Sequence, residues 1–411
     1  MYDAIVVGAR CAGSPTAMLL ARKGYRVLLV DRATFPSDTL STHYIHQPGM
    51  AHLARWGLLE RLLATNCPPI SQFALDVGPF TLVGCAPPAN GIGFGCCPRR
   101  QALDTMLVDA AVAAGVEVRQ EFTVQGLLWD DGRVAGVEGR SRDGAEVKER
   151  ARMVIGADGL HSLVAKSVQA PEYNQKPALA CVYYTYWSGV EMDGAELYPR
   201  PHRISFGFPT NDGLVILGVG WPHAEFHAYR ADVEGNYLKT LELVPELAER
   251  IRSGRREERF TGTADLPNFF RKPYGTGWAL VGDAGYHKDP YTAQGITDAF
   301  RDAELLAEAL DAAFSGRSEL EQALAQYERQ RNESVLPMYE FTCQLATLDP
   351  PPPEMQQLFA ALKGNQAETS RFVGTIAGTV PIPEFFSPES IQRIMAGANL
   401  GASPSERFGE Q

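Results

Sequence analysis

Residues 4–31, AIVVGARCAGSPTAMLLARKGYRVLLVD, contain the pattern on which the reading of the whole chain turns. Ala4 to Val7 form a short apolar run, and Gly8, Cys11, Ala12 and Gly13 make a small-residue turn. Met18, Leu19 and Leu20 open an apolar helical stretch that ends at Gly24, and a second apolar run, Val27 to Val30, delivers Asp31. Apolar runs of strand length on either side of a helical period predict strand, turn, helix, strand.

That order suits a dinucleotide. The first N–H groups of a helix lack internal partners and carry the positive end of its dipole, so a pyrophosphate settles there. An acidic side chain at the end of the next strand, here Asp31, falls where a ribose presents its hydroxyls. Pro15 fits the first helical turn, where a missing N–H costs little. Arg10 stands where the dinucleotide fingerprint has a glycine, whose missing Cβ lets backbone approach phosphate closely. Its guanidinium either adds positive charge near the pyrophosphate or points into solvent.

The chain has 411 residues, enough for two domains, and its 45% hydrophobic and 21% charged composition is that of a globular protein. A net charge of -11 argues against a general nucleic-acid or anionic-membrane surface. No apolar run approaches the roughly 20 residues of a membrane span, and the N-terminus enters a strand at once, so neither a span nor a signal peptide is expected. Seven cysteines, odd in number and without metal-site spacing, predict reduced thiols in the cytoplasm. Cys96 and Cys97 are adjacent rather than C-x-x-C and read as core filling. His43, His46 and His52 have no acidic or cysteine partner at ligand spacing. They read as loop and helix-surface residues, and no metal site is expected.

Beyond Asp31 a polar loop leads to an amphipathic helix near 48–64, and residues 66–95 read as strands and loops of another unit. A helix from about residue 98 ends at Gly115; Arg100 in its first turn opposes the dipole, so either an anionic partner or plain solvation accounts for it. Strands at 116–127, 133–139 and 145–149 form a meander, followed by an apolar strand that runs into Gly156, Asp158 and Gly159. From about 175 to 267 the chain is mostly β. CVYYTYWSGV puts Val182, Tyr184 and Tyr186 on one face and Tyr183, Thr185 and Trp187 on the other, RISFGFP and GLVILGVGW read as a hairpin, and a helix near 232–254 interrupts. A strand from Trp278 then delivers Asp283 in a GDAG turn, and a long helix starts near Gln294 and Gly295, its free N–H groups aimed at whatever lies ahead. Residues 321–346 are helical, DPPPPE breaks the chain, and two or three short helices precede a polar tail from about 399.

The opening turn, the Asp158-Gly159 turn and the Gly282-Asp283 turn agree with one another. Together they make the chain resemble the FAD-dependent monooxygenases of the p-hydroxybenzoate hydroxylase type, a superfamily shared with flavin-dependent halogenases and geranylgeranyl reductases, over about residues 2–330. The resemblance implies an α/β fold: a Rossmann-like FAD-binding domain of 1–70, 96–175 and 268–320, an inserted, mostly β substrate domain of 71–95 and 176–267, and a C-terminal helical region of 321–411. It implies that Gly8, Ala12, Gly13 and Asp31 hold the ADP part of FAD, with Arg10 and Arg32 beside them. Arg100 would contact the phosphate or ribityl region, Val124 the adenine, Asp158 the D-G position and Asp283 the ribityl chain. Pro290, Gly295 and Ile296 would face the ring.

The activity so implied is hydroxylation of an electron-rich aromatic small molecule: NADH or NADPH reduces FAD, O2 adds at flavin C4a, and the hydroperoxide transfers its oxygen. Tyr184, Tyr186, Phe206 and Phe208 would line the substrate pocket, and the general base stays open among Tyr184, Tyr186, His43 and His287. The expected partners are a small-molecule substrate and O2, not nucleic acid. Several positions depart from the family pattern. Ala165 replaces the arginine usual after Ser162, GDAGY replaces G-D-A-A-H, and the halogenase tryptophan pair is absent around Pro209. The FGFP segment is similar to the reductase branch, so an alkene reductase of the geranylgeranyl type is the alternative. A flavin halogenase or a non-catalytic flavoprotein comes third.

Overall fold

The computed structural model describes residues 1–401. Its first sheet grows from the quoted stretch. Tyr2–Val7 pairs in parallel with Val27–Val30 on one side and with the second half of Glu146–Gly156 on the other, and Glu117–Arg119 and Trp278–Leu280 continue the parallel order outward. Parallel strands covered on both faces carry unbroken apolar runs, and all four residues of Val27–Val30 are buried. The helices Gly13–Arg22, Arg100–Ala113 and Gly295–Phe314 cover one face through Met18, Leu103, Leu107 and Phe300. An antiparallel meander, Thr123–Asp130, Arg133–Arg140 and the first half of Glu146–Gly156, lies with Ile5, Leu28 and Val154 on the other.

The second sheet is antiparallel except at one junction. Ala180–Ser188, Val215–Pro222, Arg203–Pro209 and Ala195–Arg200 run in that order, and Ala195–Arg200 then pairs in parallel with Phe73–Asp76, which hairpins with Thr81–Gly84. The period of two sorts its residues as the sequence predicts: Val182, Tyr184 and Tyr186 share one core with Phe206 and Phe208, while Trp187 and Tyr183 pack with Tyr229 and Tyr237 on the reverse face. The first of these faces is covered by the C-terminal helices Pro353–Leu362, Gln366–Ala377, Ile382–Phe385 and Pro388–Gly401 through Leu358, Phe372, Phe385 and Ile394. The fold is therefore α/β, a Rossmann-like unit with an inserted, mostly β unit and a C-terminal helical region.

Several element boundaries differ from the sequence expectation. The helix expected over 48–64 is two, Gln47–Arg55 and Leu59–Leu63, because Gly57 turns the backbone to φ 75°. The one expected over 232–254 is two, Val233–Leu241, which the Asp232 side chain caps at the N–H of Gly235, and Pro245–Arg252, which begins at a proline; a short helix, Phe226–Ala231, precedes them. Glu117–Arg119 belongs to the parallel sheet, not the meander, and Glu121 at φ 54° marks the turn between them. The strand of 145–149 and the apolar strand after it are one, Glu146–Gly156, which changes partners midway. Among the described residues four helices rather than two or three follow the proline break, and most of the expected polar tail lies outside those residues.

Phe385 is fully buried, with its ring centroid 5.6 Å from that of Phe372 and 5.1 Å from that of Phe386. Truncation of such a ring leaves a cavity and costs about 3–5 kcal/mol. Phe385→Ala should lower the urea midpoint accordingly; a loss below about 1 kcal/mol would mean that the last helices do not unfold with the rest.

Candidate functional site

Two glycines shape the turn after the first strand. Gly8 has φ 104°, and a Cβ there would lie 2.4 Å from the carbonyl oxygen of Ala157; a Cβ on Gly13 would lie 1.7 Å from the oxygen of Gly8. The turn is thus wound so tightly that the N–H groups of Cys11, Ala12 and Gly13 find no backbone partner among the described residues. Asp31 accepts from the N–H of Ala9 at 2.7 Å and of Ala33 at 2.8 Å, which fixes its carboxylate at the rim of the same opening.

Arg10 neither points into solvent nor stands alone. Its Nη1 donates to Asp104 Oδ2 at 2.5 Å, its Nη2 to Ser37 Oγ at 3.0 Å, and its guanidinium lies 5.3 Å from the centre of the Phe35 ring. Arg100 donates through Nε and Nη2 to the other oxygen of Asp104, at 3.1 and 3.0 Å. Arg100 is buried rather than a solvated surface residue, and its anionic partner is Asp104, one helical turn on. Two guanidinium groups on one carboxylate leave a net positive charge at the mouth of a helix N-terminus, an arrangement suited to phosphate. Sequence reading missed Asp104; its four-residue spacing from Arg100 on a helix was the available signal.

All the residues expected at the cofactor except Gly13, which is buried at the start of the first helix, line one cavity of about 620 Å³. Arg32 and Val124 border the same end as Asp31. Asp158 is occupied: it accepts from Ser162 Oγ at 2.5 Å and from the N–H groups of Leu163 and Val164, so it also anchors the following short helix. Burial raises its pKa. Asp283 differs, because it is exposed within the cavity and makes no hydrogen bond among the described residues. The glycine before it, Gly282, has φ 61°, and a Cβ there would stand 2.7 Å from Cβ of Ala12. The third motif therefore rests directly on the first.

Opposite Asp283 the chain passes through Asp289, Pro290 and a left-handed Ala293, φ 52°, into the helix Gly295–Phe314. A Cβ built on Gly295 meets nothing within 4 Å, so this helix end opens onto the cavity. Gln294, just before it, donates through Nε2 to the carbonyl of Ile376 at 2.6 Å and so ties the helix start to the C-terminal helices.

The aromatic face forms the far wall. Tyr184 lines the large cavity, its OH accepting from the N–H of Ser41 at 3.3 Å, whereas Phe206 and Phe208 line a smaller chamber of about 40 Å³ that shares Thr42, Val182, Leu266 and Pro290 with it. Tyr186 borders neither; its OH pairs with His43 Nε2 at 2.5 Å, and Arg99 lies 3.9 Å over its ring while bridging Asp38 and Glu258. His43, His46 and His52 are all buried, contrary to the surface reading. His43 sits at φ 65°, and His46 Nε2 meets the carbonyl of Thr292 at 2.9 Å. His287 also borders the large cavity, with its Nδ1 2.5 Å from the carbonyl of Pro267. Cys96 and Cys97 fill core, as expected, and no group of three or more His, Cys, Asp or Glu able to hold a metal occurs among the described residues.

Residues 1–212 match the family described as FAD binding domain, more than half of the chain. The chain belongs to the FAD binding domain family. Membership sets it in the FAD-dependent oxidoreductase superfamily, and the free N–H groups, the two arginines on Asp104, the unpartnered Asp283 and the open Gly295 end fit that cofactor. Digeranylgeranylglycerophospholipid reductase 1 of Methanopyrus kandleri is 29% identical over 319 residues, 72% of this chain and 77% of the relative. The myxobacterial chondrochloren halogenase CndH shares the fold at TM-score 0.79 and 22% identity, covering 98% of each chain. PqsL of Pseudomonas aeruginosa, solved with 2-aminobenzoylacetate and described as a probable FAD-dependent monooxygenase, shares it at TM-score 0.74 and 22% identity, covering 85% of this chain and 96% of that one. No described helix is long and apolar enough to cross a membrane.

The buried histidines give this FAD binding domain protein an acid limit. Burial, aided by Arg100, lowers His43 to about 3, and burial lowers His46 to about 4. Both are neutral when folded, so the unfolded chain binds more protons below the ordinary value of about 6.5. Their contribution is fully present above about pH 6.5 and is lost on acidification by about 1.4 kcal/mol per pH unit for each histidine. Urea midpoints measured down the acid limb should fall less steeply in His46→Gln, and an unchanged slope is the contrary result.

Proposed function

We propose that this chain binds FAD along the large cavity and uses it to hydroxylate an apolar, aromatic small molecule with O2 and NADH or NADPH. In this reading the N–H groups of Ala12 and Gly13, with Gly8 leaving room, take the pyrophosphate. Arg10 and Arg100 supply charge there, held apart by Asp104. Asp31 takes the adenosine ribose with Arg32 at its side, Val124 borders the adenine, and Asp158 shapes the turn between. Asp283 takes the ribityl hydroxyls, and Pro290, Gly295 and Ile296 face the ring, where the helix end stabilises negative charge.

FAD, when bound, supplies two-electron chemistry and the capacity to react with O2. The protein's own part is to orient the substrate and exclude water. The observation that supports the oxygenase reading is the wall beside Pro290, where Val182, Leu266, Phe206, Phe208 and Ala293 make the lining mainly apolar under a face covered by the C-terminal helices, which would limit the access of water to the reacting group. That PqsL was solved with 2-aminobenzoylacetate supports a planar, aromatic substrate. Tyr184 alone of the four aromatic candidates borders the large cavity and is the one offered to bind substrate first. Phe206 and Phe208 line its inner side, and Tyr186 supports it through His43.

A second reading, reduction of an alkene, is favoured by the Methanopyrus reductase and by the buried Ala165, which leaves no arginine where the resemblance expects one for a nicotinamide cofactor. Oxygen electrode measurements on a panel of phenols and isoprenoid alkenes separate the two. Substrate-dependent O2 uptake is expected, and turnover of an alkene without it would remove the oxygenase reading.

The cofactor assignment has its own test. Loss of a charged hydrogen-bond partner costs about 1.5–3 kcal/mol, so Asp283→Ala should weaken FAD binding by about tenfold to a hundredfold, read from quenching of FAD fluorescence. Unchanged affinity would detach Asp283 from the cofactor.

A further inference from the structure

Asp289 stands where the two cavities meet. It lines the large one beside Pro290 and also the roughly 40 Å³ chamber under Phe206 and Phe208. Its N–H donates to Asn268 Oδ1 at 2.7 Å, and its Oδ1 accepts the N–H of Tyr291 at 3.0 Å. Oδ2 is buried and has no hydrogen-bond partner among the described residues. The cation next in sequence, Lys288, is turned to Asp298, which also holds Arg301; Arg301 in turn holds Asp302. Asp289 is thus a buried carboxyl with one backbone hydrogen bond and no counter-ion, a setting that disfavours the charged form. Burial raises it to about 7.

Other ionisable side chains pack around it. Burial pushes the Tyr291 hydroxyl up, raises Cys343 on the helix Leu320–Leu345 to about 11, and lowers His46 to about 4. His287 is tied to the carbonyl of Pro267. A new negative charge placed in the large cavity beside Pro290 would therefore act on Asp289 with no intervening cation other than the paired Lys288, and like charge favours the protonated carboxyl.

We propose that Asp289 couples proton uptake to reduction of the cofactor: its carboxylate takes a proton from solvent when FAD bound beside it accepts two electrons. The proposal rests on the FAD reading but not on which substrate is turned over. The balance is simple. Two electrons from a chemical reductant and one proton give the anionic reduced cofactor, and a second proton converts the Asp289 carboxylate to carboxylic acid. Reoxidation returns that proton to solvent.

Potentiometric titration of the FAD-loaded protein with dithionite, from about pH 6 to about pH 9, tests this. One extra proton per two electrons changes the reduction equilibrium tenfold per pH unit, about 30 mV. Wild-type protein should show that extra slope above the pKa of Asp289, and Asp289→Asn should lose it while keeping its FAD affinity and visible spectrum. Asp302→Asn, which removes another buried carboxyl, should keep it. Asp289→Ser repeats the test if the amide variant does not fold. FAD-loaded protein in which Asp289→Asn keeps the slope, or in which the wild type lacks it, overturns this proposal alone; protein that takes up no FAD overturns the cofactor reading and this proposal with it.

Discussion

The contact between Gly282 and Ala12 governs the geometry of everything around the cavity. One residue comes from the turn after the first strand and the other from a turn some 270 residues later in the chain. They approach so closely that a Cβ on Gly282 would stand 2.7 Å from that of Ala12. Strands Tyr2–Val7, Glu146–Gly156 and Trp278–Leu280 are neighbours in one parallel sheet, so all three turns leave from the same edge. Helix N-termini, which carry unsatisfied donors, consequently converge on one space. The charges at its borders follow from the same convergence: the carboxylates of Asp31 and Asp283, and a positive cluster shared through Asp104.

The second sheet meets this arrangement at right angles in chemistry rather than in chain order. Where the first end of the cavity is polar and charged, the end near Pro290 is apolar, with Phe206, Phe208, Val182 and Leu266 as lining and the last four helices as cover. A flavin has the same asymmetry, since its phosphates and sugars are polar while its ring is flat and largely apolar. Asp289 sits on the seam between these regions, and that is why its carboxyl is both buried and unpaired.

Much of this was legible in the sequence because it depends on backbone shape. Small residues at Gly8, Gly13 and Gly282, and carboxylates at the ends of apolar strands, are marks that local sterics leave in a chain. What escaped depends on contacts between distant segments. The burial of His43, His46 and His52 comes from packing against the second sheet and the Gly295 helix, which no local spacing reports. Asp104 looked like an ordinary helix residue until Arg10, 94 positions away, was found on its other oxygen. The breaks at Gly57 and Pro245 were legible in principle, through a glycine and a proline, but apolar periodicity runs through both.

Gln294 gives the molecule a property that neither sheet has alone. Its amide holds the carbonyl of Ile376, so the start of the Gly295 helix is fastened to the cover over the aromatic wall. A displacement of that cover pulls on the residue just before the helix end that opens onto the cavity. Substitutions in the last helices therefore reach, through this amide, the start of a helix that they do not touch in sequence.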